Sequence, residues 1–179
     1  LIFYYASVGG FGDMPDLEVL ENPKTNLASE VISSDGKTLG KYYFNDNRTP
    51  VTFDELPKHL VDALIATEDI RFYSHSGIDF KRTFGAALKL GKDGGGSTIT
   101  QQLAKLLFTG EGSRDILERL TQKFKEYIIA VRLERHYTKD EIITQYLNLY
   151  DFGNNGDGIR SAARIYFGKE PIDLDINES

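Results

Sequence analysis

Cysteine and tryptophan are absent from this chain of 179 residues, which holds one methionine, three histidines and five prolines. Without cysteine there is no disulfide, no thiolate nucleophile and no Cys-ligated zinc. His59, His75 and His136 lie far apart along the chain, which argues against a His-rich metal site. Long apolar runs are missing as well. The stretch Leu1 to Phe11 (LIFYYASVGGF) has roughly half the ~20 residues a spanning helix needs, and Gly9-Gly10 breaks it. Positive charge is in deficit: Lys+Arg 21 against Asp+Glu 27 leaves a net −6, which speaks against a protein that coats nucleic acid. No nucleic-acid partner is expected, and any anion site must be local. What is present, 40% hydrophobic and 27% charged residues, is ordinary globular usage and excludes a disordered tail, a collagen or a polytopic membrane protein.

The chain opens on Leu1, its one methionine is Met14, and it is expected to be a piece of a longer protein. Tyr and Phe favour the headgroup zone of a bilayer, so Leu1 to Phe11 reads as the end of a membrane anchor or an interfacial belt. An apolar tail packed on the domain is the alternative. Residues 12–30 carry Pro15 and Pro23 with little periodicity and read as an extended linker, so that 1–30 forms a membrane-proximal segment and 31–179 the domain proper. Val31-Ile32 and Leu39 through Phe44 flank Ser34-Asp35-Gly36-Lys37, a hairpin signal because Asp-Gly supplies the positive φ of a tight turn.

From Leu56 onward the texture is helical. Leu60, Val61, Leu64 and Ile65 precede Glu68-Asp69 at helical spacing, and Phe80, Phe84, Ala87, Leu88 and Leu90 repeat the pattern. After the Gly-rich break at 91–96, Ser97 is expected to cap a helix holding Ile99, Leu103, Leu106 and Leu107. Ser113 is expected to cap a long helix to about His136, with an apolar stripe of Ile116, Leu117, Leu120, Phe124, Tyr127, Ile128 and Val131. At ~100° per residue Glu126 falls opposite Leu117, on the face of Arg119, Gln122 and Lys123. Thr138 to Glu141 is a capping box opening a helix through Tyr150, and Ser161 to Phe167 reads as a last short helix. The class is mainly α with a short β-hairpin near the N-terminus.

Three clusters could carry chemistry. In the first, Glu68, Asp69, Arg71, Phe72, Tyr73, His75 and Asp79 stand where an apolar helix gives way to charge. A carboxylate there, beside aromatics, is expected to be partly desolvated and raised in pKa, as a general base requires. Surface charges paired with Arg71 are the plain alternative. In the second, glycines lead into Ser97, Thr98, Gln101, Gln102 and Lys105, a setting that exposes backbone N–H groups to a phosphate or pyrophosphate and offers amides to sugar hydroxyls. Lys105 lies seven or eight positions after Thr98 and Ser97, hence on one helical face. A flexible linker before a capped core helix is the alternative. In the third, Lys123 and Glu126 at i, i+3 have the spacing of an ordinary solvated helix pair.

In this order the clusters resemble one family. Glu68-Asp69-x-x-Phe72-x-x-His75-x-Gly77-x-Asp79, Gly96-Ser97-Thr98-Ile99-Thr100-Gln101-Gln102, Lys123-x-x-Glu126 and Lys139-x-Glu141-Ile142-x-x-x-Tyr146-Leu147-Asn148 are similar to successive motifs of the peptidoglycan glycosyltransferase domain of penicillin-binding proteins and their monofunctional relatives. The resemblance runs from about Val31 to Asn177 and implies a lysozyme-like helical lobe with a small membrane-associated lobe, placed at Phe80 to Leu90. It implies lipid II and the growing glycan strand as substrates, and β-1,4 bonds made by a single inverting displacement. It implies membrane lipid around the domain, on the outer face of the cytoplasmic membrane, and a transpeptidase domain elsewhere in the parent protein. Glu68 is then the base on the acceptor's 4-hydroxyl, and Glu126 matches the second family glutamate. Lys105 and Lys123 would hold the pyrophosphate, with Ser97, Thr98, Gln101 and Gln102 around the sugar-phosphate. Asp69, Phe72, His75 and Asn148 complete the implied substrate site.

Pyrophosphate needs its charge neutralised more than it needs a proton, so Glu126 is expected to orient Lys123 rather than act as an acid. The resemblance implies no fixed cofactor and no metal ligands, although several members respond to Mg²⁺ or Mn²⁺. Gln122 stands where the family usually has Arg, and the chain stops at Ser179 where the family continues helically. These departures keep two rivals in view: a non-catalytic module that binds lipid II or scaffolds at the membrane, and a lysozyme-like glycan-cleaving enzyme.

Overall fold

A computed structural model describes residues 10, 29–42, 48–83, 96–110 and 115–179. Most of the 1–30 segment, and the part of the expected membrane lobe after residue 83, lie outside the described residues, as does Ser113. Strands β1 (Ser29–Ile32) and β2 (Thr38–Tyr42) form the expected antiparallel hairpin, with β1 starting two residues earlier than the sequence suggests. Gly36 takes φ +81° in the turn, as the Asp-Gly pair requires. All remaining regular structure among the described residues is helical: α1 (Lys58–Glu68), α2 (Ile99–Ala104), α3 (Ile116–His136), α4 (Lys139–Leu149) and α5 (Ile159–Phe167). Short 3₁₀ turns at Phe53–Glu55, Phe72–Ser74 and Pro171–Asp173 join them, and a π turn at Lys105–Thr109 follows α2. None of these helices is long and apolar enough to cross a membrane.

Two compact units divide the chain, residues 1–23 with 65–142 and residues 24–64 with 143–179. In the first, α2 packs against α3. Its core is Phe72, Ile99, Leu103, Ala104, Ile129, Ala130, Leu133 and Ile142. In the second, Val51, Leu56, Leu60, Val61, Ile143, Tyr146, Leu147, Ile159, Ala162, Ala163 and Leu174 are buried. Arg160 there bonds Glu55 and the carbonyl of Pro50 and lies 3.2 Å from a Glu170 oxygen.

Five expectations about helices are corrected. Thr98, not Ser97, caps α2: its Oγ1 accepts from Gln101 N at 3.1 Å, with the Gln101 side chain returning to Thr98 N. The helix gives way to the π turn at Lys105, so a phase counted from an unbroken α-helix does not carry to that residue. Asp115 caps α3 by accepting from Leu117 N at 3.0 Å. The supposed apolar stripe of α3 is exposed in its first turns, with Leu117 74% accessible, while Glu126 is only 6% accessible. The face that packs runs through Glu126, Ile129, Ala130 and Leu133, at i, i+3, i+4 and i+7. α2 packs on this face, and a helix whose moment is set by two competing stripes is oriented by that neighbour rather than by its own periodicity. Finally, α5 begins at Ile159, two residues before its expected start.

Candidate active site

The first unit assembles a polar cluster from α1, α2, α3 and the loop 69–79. α1 ends at Glu68, whose carboxylate Oε2 accepts from Gln102 Nε2 at 2.8 Å, while its backbone carbonyl accepts from Arg82. Gln102 sits on α2 one turn beyond the Thr98 cap, so the capping box that starts α2 also sets where this amide points. Glu68 and Gln102 are both half-buried. A carboxylate with one oxygen engaged by a neutral amide keeps lone pairs on the other oxygen, the geometry of a group ready to accept a proton.

The neighbouring Asp69 behaves differently. It is fully buried, and its carboxylate faces His75 Nε2 at 3.0 and 3.2 Å and accepts from the backbone N–H of Ile99 at 3.1 Å. A carboxylate oxygen accepts, so the imidazole Nε2 is the donor of this pair. Asp69 therefore ties the loop after α1 to the start of α2. Gly77 reinforces the tie: its carbonyl accepts from Thr98 Oγ1 at 2.6 Å and Gln101 Nε2 at 3.3 Å. Gly77 has φ +90°, and a Cβ there would stand 2.8 Å from the Ala130 carbonyl, so only glycine fits. Arg71 does not pair with Glu68 or Asp69. It bonds Asp79 through Nε and Nη2 at 2.7 and 2.6 Å. Burial would raise the Asp79 pKa, but the N–H of Arg82 and the Arg71 guanidinium outweigh it and hold the carboxyl below its usual range.

α3 supplies a cation. Lys123 Nζ bridges Ser97 Oγ at 2.7 Å and Glu126 Oε2 at 2.6 Å. The Lys123 side chain is 36% exposed against 8% for Glu126, so the pair is not an ordinary solvated one. A buried carboxylate keeps a half-exposed ammonium against the α2 start, with one of its three N–H donors still to offer. Burial, and then the Glu126 charge, raise the Tyr127 phenol pKa. Lys105, at the head of the π turn, is exposed and forms no ion pair with a described residue.

The twelve site residues read from sequence thus divide. Glu68, Gln102, Ser97, Lys123 and Lys105 present groups at or near the surface of the first unit, and the buried Glu126 holds Lys123 there. Asp69, Phe72, Thr98 and Gln101 are fully buried, and the polar ones are engaged with the fold. His75 joins them through Asp69. Asn148 belongs to the second unit, where its amide makes a two-point pair with the Val51 backbone at 2.9 Å each way, so it acts there as a structural clamp.

A further set escaped the sequence reading as site residues. Glu134 Oε1 accepts from Thr100 Oγ1 at 2.6 Å and Lys139 Nζ at 2.8 Å, and Lys139 also donates to the His75 carbonyl at 2.8 Å and lies 4.2 Å over the Phe72 ring. Thr100, Lys139, His75 and Phe72 stand inside the quoted motifs and Glu134 outside them, and pairing across four segments leaves no local trace. Among the described residues no group of three or more His, Asp or Glu is placed to hold a metal ion.

The chain is similar to known proteins. The family model described as Transglycosylase matches residues 35–179. Penicillin-binding protein 1F of Bacillus subtilis is 43% identical over 157 residues, 86% of this chain and 21% of that protein. Penicillin-binding protein 1A of Escherichia coli is 40% identical over 170 residues, 92% of this chain and 19% of that protein, and that of Aquifex aeolicus is 37% identical over 173 residues, 94% and 23%. The chain thus spans about a fifth of the length of the relatives it matches. A match over most of its length, across a range that includes the residues of this cluster, places the chain in the transglycosylase family as an enzyme domain of that class.

Proposed function

We propose that the chain polymerises lipid II into peptidoglycan glycan strands, by inverting transfer from a polyprenyl-pyrophosphate donor to the 4-hydroxyl of an acceptor sugar. The observation that carries this reading is the separation of roles in one cluster: a carboxylate held by a neutral amide, Glu68 on Gln102, and an ammonium held by a buried carboxylate, Lys123 on Glu126. Glu68 takes the 4-hydroxyl proton, the freed oxygen attacks the anomeric carbon from the face opposite the pyrophosphate, and the carbon–oxygen bond to pyrophosphate breaks as the β-1,4 bond forms. Lys123 and Lys105 neutralise the charge that develops on the leaving group. Ser97 and Gln102 lie beside the sugar-phosphate.

Glu126 orients the cation. Its Oε2 accepts from the Lys123 ammonium at 2.6 Å, which supports synthesis over lysozyme-like cleavage, where a carboxylic acid must be aimed at the leaving oxygen. Because the relatives are longer penicillin-binding proteins, we further propose that the domain works at the outer face of the cytoplasmic membrane, in a protein that also carries a transpeptidase domain.

The test is incubation of the purified chain with labelled lipid II in detergent or liposomes, with and without Mg²⁺ or Mn²⁺, resolving products by length. Polymer from the parent and none from Glu68→Gln or Lys105→Ala is the expected result. Cleavage of finished glycan by the parent would replace the synthetic reading with the lysozyme-like one, and binding without polymer would leave a scaffold module.

A further inference from the structure

A cavity of about 460 Å³ opens in the first unit away from the Glu68 and Lys123 groups. Neither of these, nor Ser97, Gln102, Lys105 or Glu126, lines it. Its polar wall includes Arg71, Ser76 and Lys81, and its apolar wall is Ile78, Phe80 and Val131. Asp79 fixes Arg71 through Nε and Nη2, which leaves the Nη1 amino group without a partner among the described residues. Lys81 is exposed and has no ion-pair partner among them. Two cations against one carboxylate leave the rim net positive on a chain whose overall charge is −6. Phe80 on its wall is 70% accessible, and Ile70 and Tyr73, neighbours in sequence of the lining residues Arg71 and Ser74, are 78% and 59% accessible.

We infer that this cavity binds the phosphodiester headgroup of an anionic phospholipid. The guanidinium is held in place by Asp79 and needs no reordering to meet an oxyanion, and Lys81 adds a second charge. Ile78, Phe80 and Val131 suit the glycerol and the first acyl carbons, which a free phosphate lacks. Ile70, Tyr73 and Phe80 are side chains of the kind that settle at a bilayer interface, so headgroup and chains meet the protein together. The site stands whatever reaction the Glu68 cluster performs, and its failure would leave that reading untouched.

The test is amide-shift titration of the full 179-residue chain with dihexanoyl-phosphatidylglycerol below its micelle concentration. Dihexanoyl-phosphatidylcholine and inorganic phosphate serve as parallel probes. Saturable shifts confined to residues 70–81 with the anionic lipid, and weaker binding of both other probes, are expected. Lys81→Gln should weaken anionic-lipid binding by about fivefold and Lys81→Glu by more, since one cation near an anionic headgroup is worth about that factor. Phe80→Ser should weaken the lipid but not inorganic phosphate. Lys81 and Phe80 are exposed, so neither change threatens folding. Equal binding of both lipids, phosphate binding as tightly as the anionic lipid, or an unchanged Lys81→Glu titration would each overturn the assignment.

Discussion

The two units use the same polar interactions to opposite ends. In the second, Asn148 returns both its donor and its acceptor to Val51, Lys169 lies 2.7 Å from both oxygens of Glu178, and Arg160 joins Glu55, Glu170 and the Pro50 carbonyl. Each of these closes on itself; Asn148 and Arg160 pin loops to helices, and Lys169 ties two loop segments together. In the first unit, the fully buried groups close on themselves in the same way, Asp69 on His75 and Ile99, Thr98 and Gln101 on Gly77. Above them, however, stand Glu68, Lys123 and Lys105 with bonding capacity left over. A polar network is structural when its donors and acceptors balance. It becomes reactive where a rigid balanced layer supports one that does not balance.

Substitutions should separate the layers. The largest effect is expected from Glu68→Gln, a loss of about a thousandfold in polymerisation rate with the melting temperature unchanged, read by single-turnover assay and calorimetry. Asp69→Ala belongs to the layer beneath: leaving His75 and the Ile99 N–H without their anion should lower unfolding free energy by about 3 kcal/mol in urea titration, with activity falling as the α2 start loosens. An active, fully stable Asp69→Ala protein would show that the two layers are not distinct. Gly77→Ala should cost about 2 kcal/mol, because the left-handed backbone and the Ala130 carbonyl both reject a Cβ. Asn148→Ala sharpens the contrast between units. It should lose roughly 1 to 2 kcal/mol of stability and leave kcat for the surviving folded fraction unchanged. A drop in kcat at full stability would return Asn148 to the substrate site that the family resemblance implies.

The smallest effect concerns acid. Asp79 has its folded pKa below the ordinary 3.8 of an aspartate, so the stability it contributes is present above that value and is lost as pH falls through the lower folded pKa. Asp79→Asn should therefore flatten the parent's stability loss below about pH 4 while lowering stability at neutral pH, as followed by far-UV circular dichroism. An unchanged acid limb would mean that Arg71 and the Arg82 N–H do not favour the ionised form.

Legibility followed range along the chain. The hairpin at Asp35-Gly36, the Thr138–Glu141 capping box and the end of α1 at Glu68 all depend on residues within four positions of each other, and all were readable. The site residues were named by ordered motifs, yet the motifs did not say which would be buried. Nothing in Thr98-Ile99-Thr100-Gln101-Gln102 marks Gln101 as folded inward onto Gly77 and Gln102 as facing Glu68, because adjacent helical positions differ only in direction. Likewise, Lys123-x-x-Glu126 looked like a surface pair until α2 was packed against that side of α3.

By itself, then, the amino-acid sequence determined the helical class, the hairpin, the family and the roster of chemical groups, since these rest on local propensity and ordered spacing. Only the tertiary structure decided which of those groups support and which remain open to a ligand. That choice depends on contacts with residues 30 to 64 positions away, such as the Ile99 N–H on Asp69 and Lys139 on the His75 carbonyl, and no local pattern records it.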